Sequence, residues 1–176
     1  MDIVIAPLTP QAATLDQLSH LLIETVAHGG SVSFMHPLGY DVAHSFWSAS
    51  LAAATRSERI VFGALSGSEV VGTVTLHLDC PQNQPHRAEI AKMMTRVQWR
   101  GKGVGTRLLQ AAEDAACAAN RSLLVLDTAA EDGAAQFYEK LGFIRAGEIP
   151  DYALKPHGGL TGTILYFKRL PRTAAI

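Results

Sequence analysis

Apolar positions recur along this chain in two rhythms, and the changes between them mark out its elements. Asp2 to Ala6 reads as a short first strand. Thr9-Pro10 then has the form of a helix start, with Thr as cap and Pro at the first helical position. Leu15, Leu18, Leu22 and Val26 follow on one face, and Gly29-Gly30 ends that helix. A loop runs from Gly30 to Tyr40, and a second helix begins near Asp41 and carries Ala43, Trp47, Leu51 and Ala54. Strands near Ile60–Leu65 and Val70–Leu78 are joined at Ser66-Gly67-Ser68, a good hairpin turn. In the second of them Val70, Gly72, Val74, Leu76 and Leu78 share one face, with Val71, Thr73, Thr75, His77 and Asp79 on the other.

The second half changes character. After the turn-rich 80–85 segment comes a strand from Arg87 to Met94, then Arg100-Gly101-Lys102-Gly103-Val104-Gly105. That glycine-rich turn opens into a helix carrying Val104, Leu108, Ala111, Ala115 and Ala119, with Asn120 as its stop. Leu123-Leu124-Val125-Leu126 is apolar on both faces, as suits a central strand parallel to its neighbour. A helix over Ala129–Lys140 ends at Gly142, and Ile144–Gly147 and Thr163–Phe167 form a last antiparallel pair. Strand–helix–strand order after a run of strands predicts an α/β (α+β) chain with a mixed sheet.

Composition narrows the picture. A chain of 176 residues is expected to be one domain over its whole length, 1–176, with ample apolar residues for a core. A net charge of −1 gives no reason to expect nucleic acid or an anionic membrane as a partner. Cys80 and Cys117 are too few for a disulfide framework and lack metal spacing, so reduced thiols in a cytoplasmic protein are expected. No signal peptide and no membrane-spanning stretch is read, and the histidines include no HExxH arrangement, so no metal is expected.

Alternate glycines at a helix start uncover backbone N–H groups where the helix adds partial positive charge, a setting for a pyrophosphate. The spacing is neither GxGxxG nor GxxxxGK[S/T], which leaves out the dinucleotide fingerprint and the nucleotide P-loop. It fits Arg-x-x-Gly-x-Gly, which resembles the acetyl-CoA pyrophosphate loop of the GNAT superfamily of N-acetyltransferases. The segment from Ala134 through Phe137, Tyr138 and Leu141 to Phe143 looks like that family's second recurring segment, in the right order. The resemblance implies the GNAT fold, a mixed central sheet of about six or seven strands with flanking helices and two central parallel strands splayed apart. It implies acetyl-CoA as acyl donor and a small-molecule amine as acceptor, and it leaves a homodimer open. It assigns the acetyl and pantetheine groups to the backbone of Met93, Met94 and Thr95, and the pyrophosphate to Arg100, Gly101, Lys102, Gly103, Val104, Gly105 and Thr106.

Acetyl transfer needs a neutral amine, so a base is useful. Strand alternation puts Arg87, Glu89, Ala91, Met93 and Thr95 on one face, where Glu89 is the only acid. Glu89 stands four residues before Met93, where several GNAT enzymes carry a base; an ion pair with Arg87, His86 or a lysine is the other reading. Asp127 ends the apolar run and looks into the same cleft if the strands splay; otherwise it is an N-cap or turn residue. Tyr138 matches the family tyrosine near the thioester sulfur, with Phe137 and Leu141 on a separate core face.

A narrower resemblance, to the tabtoxin-resistance acetyltransferases, rests on the Leu21–Val26 and Gly30–Met35 segments, His86–Glu89, Leu126–Thr128 and Gly147–Tyr152. Those enzymes inactivate a β-lactam amino acid. This likeness places the acceptor against Phe34, Met35 and Tyr152, although Phe34, Met35 and Trp47 read equally well as core. It fails over the stretch from Tyr40 to Arg59. A non-catalytic acyl-CoA-binding module and a protein N-acetyltransferase are the rival functions.

Overall fold

The computed structural model describes residues 2–131 and 133–171. Seven strands form one sheet: β1 (Ile3–Pro7), β2 (Arg59–Ser66), β3 (Glu69–His77), β4 (Arg87–Thr95), β5 (Leu123–Ala129), β6 (Ile144–Leu154) and β7 (Leu160–Arg169). Their spatial order is β1-β2-β3-β4-β5-β7-β6, with β4 and β5 parallel and every other pair antiparallel. Helices α1 (Ala12–Ala27) and α2 (Tyr40–Thr55) pack on one face, where Leu18, Leu22, Trp47, Leu51 and Met94 share a core. Helices α3 (Val104–Ala118) and α4 (Ala135–Lys140) belong with the other, where Leu76, Ile90, Leu108, Leu124 and Tyr138 form the larger core. Trp47 is therefore core rather than pocket wall, with no exposed surface.

Several expectations move by a residue or more, each for a local reason. Helix α1 begins at Ala12, not at Pro10, because the Leu8 N–H still donates to the Val61 carbonyl at 2.8 Å and ties the chain to the sheet. Thr9, just before proline, is biased away from helix. In β3 the alternation slips: Ala64 faces Gly72 and Leu65 faces Val70, so Val71 is an extra residue. Val70 then joins the α1–α2 core while Val71, Val74 and Leu76 join the other. On α3 the fully buried stripe runs through Leu108, Ala112 and Ala116, with Ala111 and Ala115 at its margin. Gly72 lets α3 approach, since a Cβ there would meet the Met94 carbonyl at 2.9 Å and Val104 at 3.0 Å.

The C-terminal hairpin is much longer than its expected core. Pro150 and Gly147 interrupt the strand pattern, and an edge strand tolerates both. The register shifts between Ile149 and Ala153, where Asp151 takes φ +52. Glu113, an unexpected buried acid on α3, meets Lys168 of β7 at 2.7 Å. The same ammonium donates to the Leu141 carbonyl at 2.7 Å, joining α3, α4 and β7.

Candidate active site

Strands β4 and β5 pair only at Arg87↔Leu123, Ala88↔Leu124 and Glu89↔Val125, and beyond that point they part. The opening becomes a cleft of about 720 Å³. One wall is β4 from Ile90 to Thr95, and the lining continues over Arg100, Gly101 and Gly103 of the turn before α3 and Val104, Gly105 and Thr106 of its first turn. Met93, Met94 and Thr95 thus line the same cleft as the glycine-rich turn. Lys102 does not line the cleft; its ammonium sits 4.9 Å over the Trp99 ring.

The turn itself suits an anion. Gly101 and Gly103 have φ of +72 and +76, with open space where a Cβ would project. Helix α3 starts with no side-chain cap, so its first amides keep their donor capacity and the helix field points outward. A short 3₁₀ turn, Val97–Trp99, leads into it. Glu24 of α1 holds that turn, accepting from Arg96 at 2.9 Å and from the Val97 N–H at 2.8 Å. Gly105 faces Phe137, whose ring lies 3.3 Å from where a Cβ would stand.

A bulge re-aims β4. Thr73 pairs with Met94 and Thr75 with Ala91, so Lys92 and Met93 together face a single residue, and Lys92 takes φ +50. The expected face of Arg87, Glu89, Ala91, Met93 and Thr95 therefore breaks here. Met93 packs with Ile90 on the α3 side, and Met94 crosses to the α1–α2 core. Lys92 enters the cleft, and only its position as a lone cation in the apolar run Ile90–Met94 signalled it.

Asp127 lies within β5, paired across from Leu165, because the strand continues to Ala129 and α4 starts only at Ala135. The N-cap and turn readings of Asp127 therefore do not hold. Its carboxylate accepts from Thr163 Oγ1 at 2.9 Å and lines the cleft. Glu89 does not line that cleft. It lines an adjoining hollow of about 310 Å³ with Val125 and Phe167, and Asp127 belongs to both. Arg87 Nη1 donates to Glu89 Oε2 at 3.2 Å, so the ion pair weighed from the sequence is present.

Tyr138 is the buried residue of α4, ringed by Phe137, Phe143 and Tyr166, while Phe137 and Leu141 are only partly buried around it. It lines the cleft. Burial, with the negative charge of Asp127 nearby, pushes its hydroxyl up to about 12. It stays protonated throughout the physiological range.

The acceptor-side residues fall elsewhere than expected. Phe34 packs edge-on against Phe46 at 5.3 Å, Met35 is 46% exposed and Tyr152 is 59% exposed on β6; none lines the cleft. The wall is instead supplied by Gly30, Ser31, Val32 and Ser33 of the α1–α2 loop. The tip of the β6–β7 hairpin braces that loop: the His36 N–H donates to the Pro156 carbonyl at 2.9 Å, and the His36 and His157 rings meet tilted, 4.5 Å between centroids.

Residues 57–145 match the family model described as Acetyltransferase (GNAT) domain, a span that holds β2 to α4 and the whole glycine-rich turn. The chain belongs to the GNAT acetyltransferase family. Over 94 residues the GNAT chain is 33% identical to N-alpha-acetyltransferase 30 of Schizosaccharomyces pombe, covering 53% of this chain and 63% of that protein. It therefore spans less than two thirds of the curated relative it matches. Among solved structures, an N-acetyltransferase from Staphylococcus aureus Mu50 superposes with a TM-score of 0.81 at 18% identity, over 97% of this chain and 100% of that one. A GNAT superfamily phosphinothricin acetyltransferase from Sinorhizobium meliloti, in complex with AcCoA, gives a TM-score of 0.83 at 19% identity, over 100% of this chain and 93% of that one. At those identities the likeness establishes the GNAT fold. No helix among the described residues is long and apolar enough to cross a membrane, and no cluster there is suited to a metal ion.

Proposed function

We propose that this GNAT domain transfers the acetyl group of acetyl-CoA to the amine of a small, amino-acid-like acceptor. One observation carries the reading. The cleft between the parted strands is lined both by an uncapped helix start and by Asp127 and Tyr138. The pyrophosphate belongs on the turn from Arg100 to Thr106, and the acetyl and pantetheine groups belong along Met93, Met94 and Thr95.

The chemistry follows from that placement. The acceptor nitrogen attacks the thioester carbonyl, the carbon–sulfur bond breaks, and the amine's proton leaves to a base. Asp127 holds the acceptor amine, and Glu89 accepts the proton through water from the adjoining hollow. Tyr138 faces the sulfur. An ordinary thiol titrates near about 8.5, so a hydroxyl pushed up to about 12 does not surrender its proton fully to the departing thiolate. Its role is a hydrogen bond to the developing negative charge.

The test is release of free CoA from acetyl-CoA across a panel of amino acids, polyamines and peptide N-termini. Acetyl-CoA binding without release from any acceptor would replace the enzyme with an acyl-CoA-binding module. The similarity to N-alpha-acetyltransferase 30 supports a second reading, in which the acceptor is a protein's N-terminal amine, and peptides in the panel decide between them. A finer form of the first reading takes a β-lactam amino acid toxin such as tabtoxinine as acceptor. Its support is the sequence segments from Leu21 to Met35 and from Gly147 to Tyr152, and growth protection against the toxin tests it.

A further inference from the structure

Lys92 is a cation of the cleft for which the transfer chemistry above has no use. It sits at the β4 bulge with φ +50, and its ammonium donates to Ser33 Oγ at 3.1 Å across the cleft wall. Ser33 is also left-handed, with φ +73. Neither residue type adopts that conformation without a cost of about 1–2 kcal/mol, so two strained residues from distant segments meet at one point. The Phe46 ring lies 5.7 Å below the ammonium. Among the described residues no carboxylate comes within 4.0 Å of it, although Asp127 and Glu89 are close enough to favour its charge. Burial depresses the ammonium, as expected of a cation short of a full partner.

We propose that Lys92, with Ser33 beside it, binds the carboxylate of the acceptor, so that the acceptor is a free α-amino acid. This rests on the acetyl-transfer reading and narrows its acceptor class. An ammonium has three donors, and Ser33 takes one, leaving two for an incoming anion. The serine hydroxyl, accepting from Lys92, still has its own proton to donate to the same anion. Asp127 supplies negative charge in the same cleft. With Arg100 at the turn proposed for the pyrophosphate, Lys92 and Asp127 are a cation and an anion that match a zwitterion, its ammonium toward Asp127 and its carboxylate toward Lys92. A peptide N-terminus lacks the second charge, because an amide stands where the carboxylate would be. Binding one would cover Lys92 without giving it a counter-charge, which is costly.

The experiment measures CoA release with the proteinogenic L-amino acids and with their α-carboxamides, in wild type and in Lys92→Met. Wild type is expected to prefer the acids. Lys92→Met should raise KM for the acids about 10- to 100-fold, the loss of a charge-assisted contact, and leave KM for the amides unchanged. Lys92→Arg should recover part of the preference. An unaltered acetyl-CoA-induced melting shift shows that the variants fold. Equal KM for acids and amides in wild type, or a preference that survives Lys92→Met, overturns the proposal. So does acceptance of peptide N-termini with refusal of free amino acids. If no acceptor releases CoA, calorimetry with the same amino acids in the presence of CoA decides. Binding weakened in Lys92→Met upholds the carboxylate site while the transfer reading fails, and no binding by any amino acid overturns it.

Discussion

Arg87 Nη1 and Glu89 Oε2 stand 3.2 Å apart on β4, at the last position where β4 and β5 still pair. Arg87 is itself fixed by Gln84, whose Oε1 accepts from its Nε at 2.6 Å. The Glu89 side chain is 44% exposed, and a pair so open to water contributes well under about 1 kcal/mol. Losing the pair alone therefore costs little stability, and any change in turnover on replacing Glu89 can be read separately.

Glu89→Gln should lower kcat by roughly 10²- to 10⁴-fold while leaving acetyl-CoA binding and the melting temperature nearly unchanged. Higher pH should restore part of the rate, because more acceptor amine is already neutral. Asp127→Asn should instead raise the acceptor KM. Melting temperature and pH–rate profile are to be measured on one preparation of each variant. A fully active Glu89→Gln protein would reduce Glu89 to the partner of Arg87 and move the base to Asp127.

Tyr138→Phe removes one hydroxyl from a packed ring. If that hydroxyl stabilises the thiolate, turnover should drop about 10- to 100-fold with acetyl-CoA affinity retained, the worth of a hydrogen bond to charge. Alkaline unfolding gives an independent reading. The folded state holds the hydroxyl up to about 12, against 10.0 for a free tyrosine. Its contribution is therefore complete below pH 10 and is lost as pH rises from 10 toward 12. Wild type should lose stability across that window more steeply than Tyr138→Phe. Parallel curves would mean the hydroxyl is better solvated than its burial implies.

Gly103→Val introduces a branched side chain at φ +76. The strain is about 1–2 kcal/mol, and the side chain intrudes where a pyrophosphate approaches the backbone. Acetyl-CoA at a hundredfold excess over its Kd stabilises a native protein by about 2.7 kcal/mol, and ATP and NAD should not. The thermal shift with acetyl-CoA should vanish in Gly103→Val. Its survival would place the pyrophosphate elsewhere.

Glu113→Gln tests the fold rather than the chemistry. It leaves the Lys168 ammonium largely covered between α3 and α4 without its counter-charge. The side chains are not fully buried, so the expected loss is about 1–3 kcal/mol, less than for a sealed pair. Chemical denaturation reads it, and specific activity at low temperature should stay at the wild-type level.

Most of the element order was legible from local pattern alone. The hairpin turn at Ser66-Gly67-Ser68, the paired glycines after α1 and the run Leu123–Leu126 depend on neighbours in sequence, and such signals survive into the fold. The glycine-rich turn was legible for the same reason, since Gly101 and Gly103 mark a backbone shape that few other residues adopt. What the tertiary structure decided lies where pairing between distant segments overrides local period. The bulge at Lys92 appears only when β4 is laid against β3, and it moves Met93 and Met94 to opposite faces while turning Lys92 into the cleft. Asp127 reads locally either as a cleft carboxylate at a strand end or as a helix cap, and pairing with β7 keeps it in a strand, where Thr163 fixes its carboxylate. Sequence by itself determined which residue types stand near the cleft. Only the contacts between β4, β5, β7 and the α1–α2 loop decided which of them face it, because one extra residue in a strand reverses every side chain beyond it.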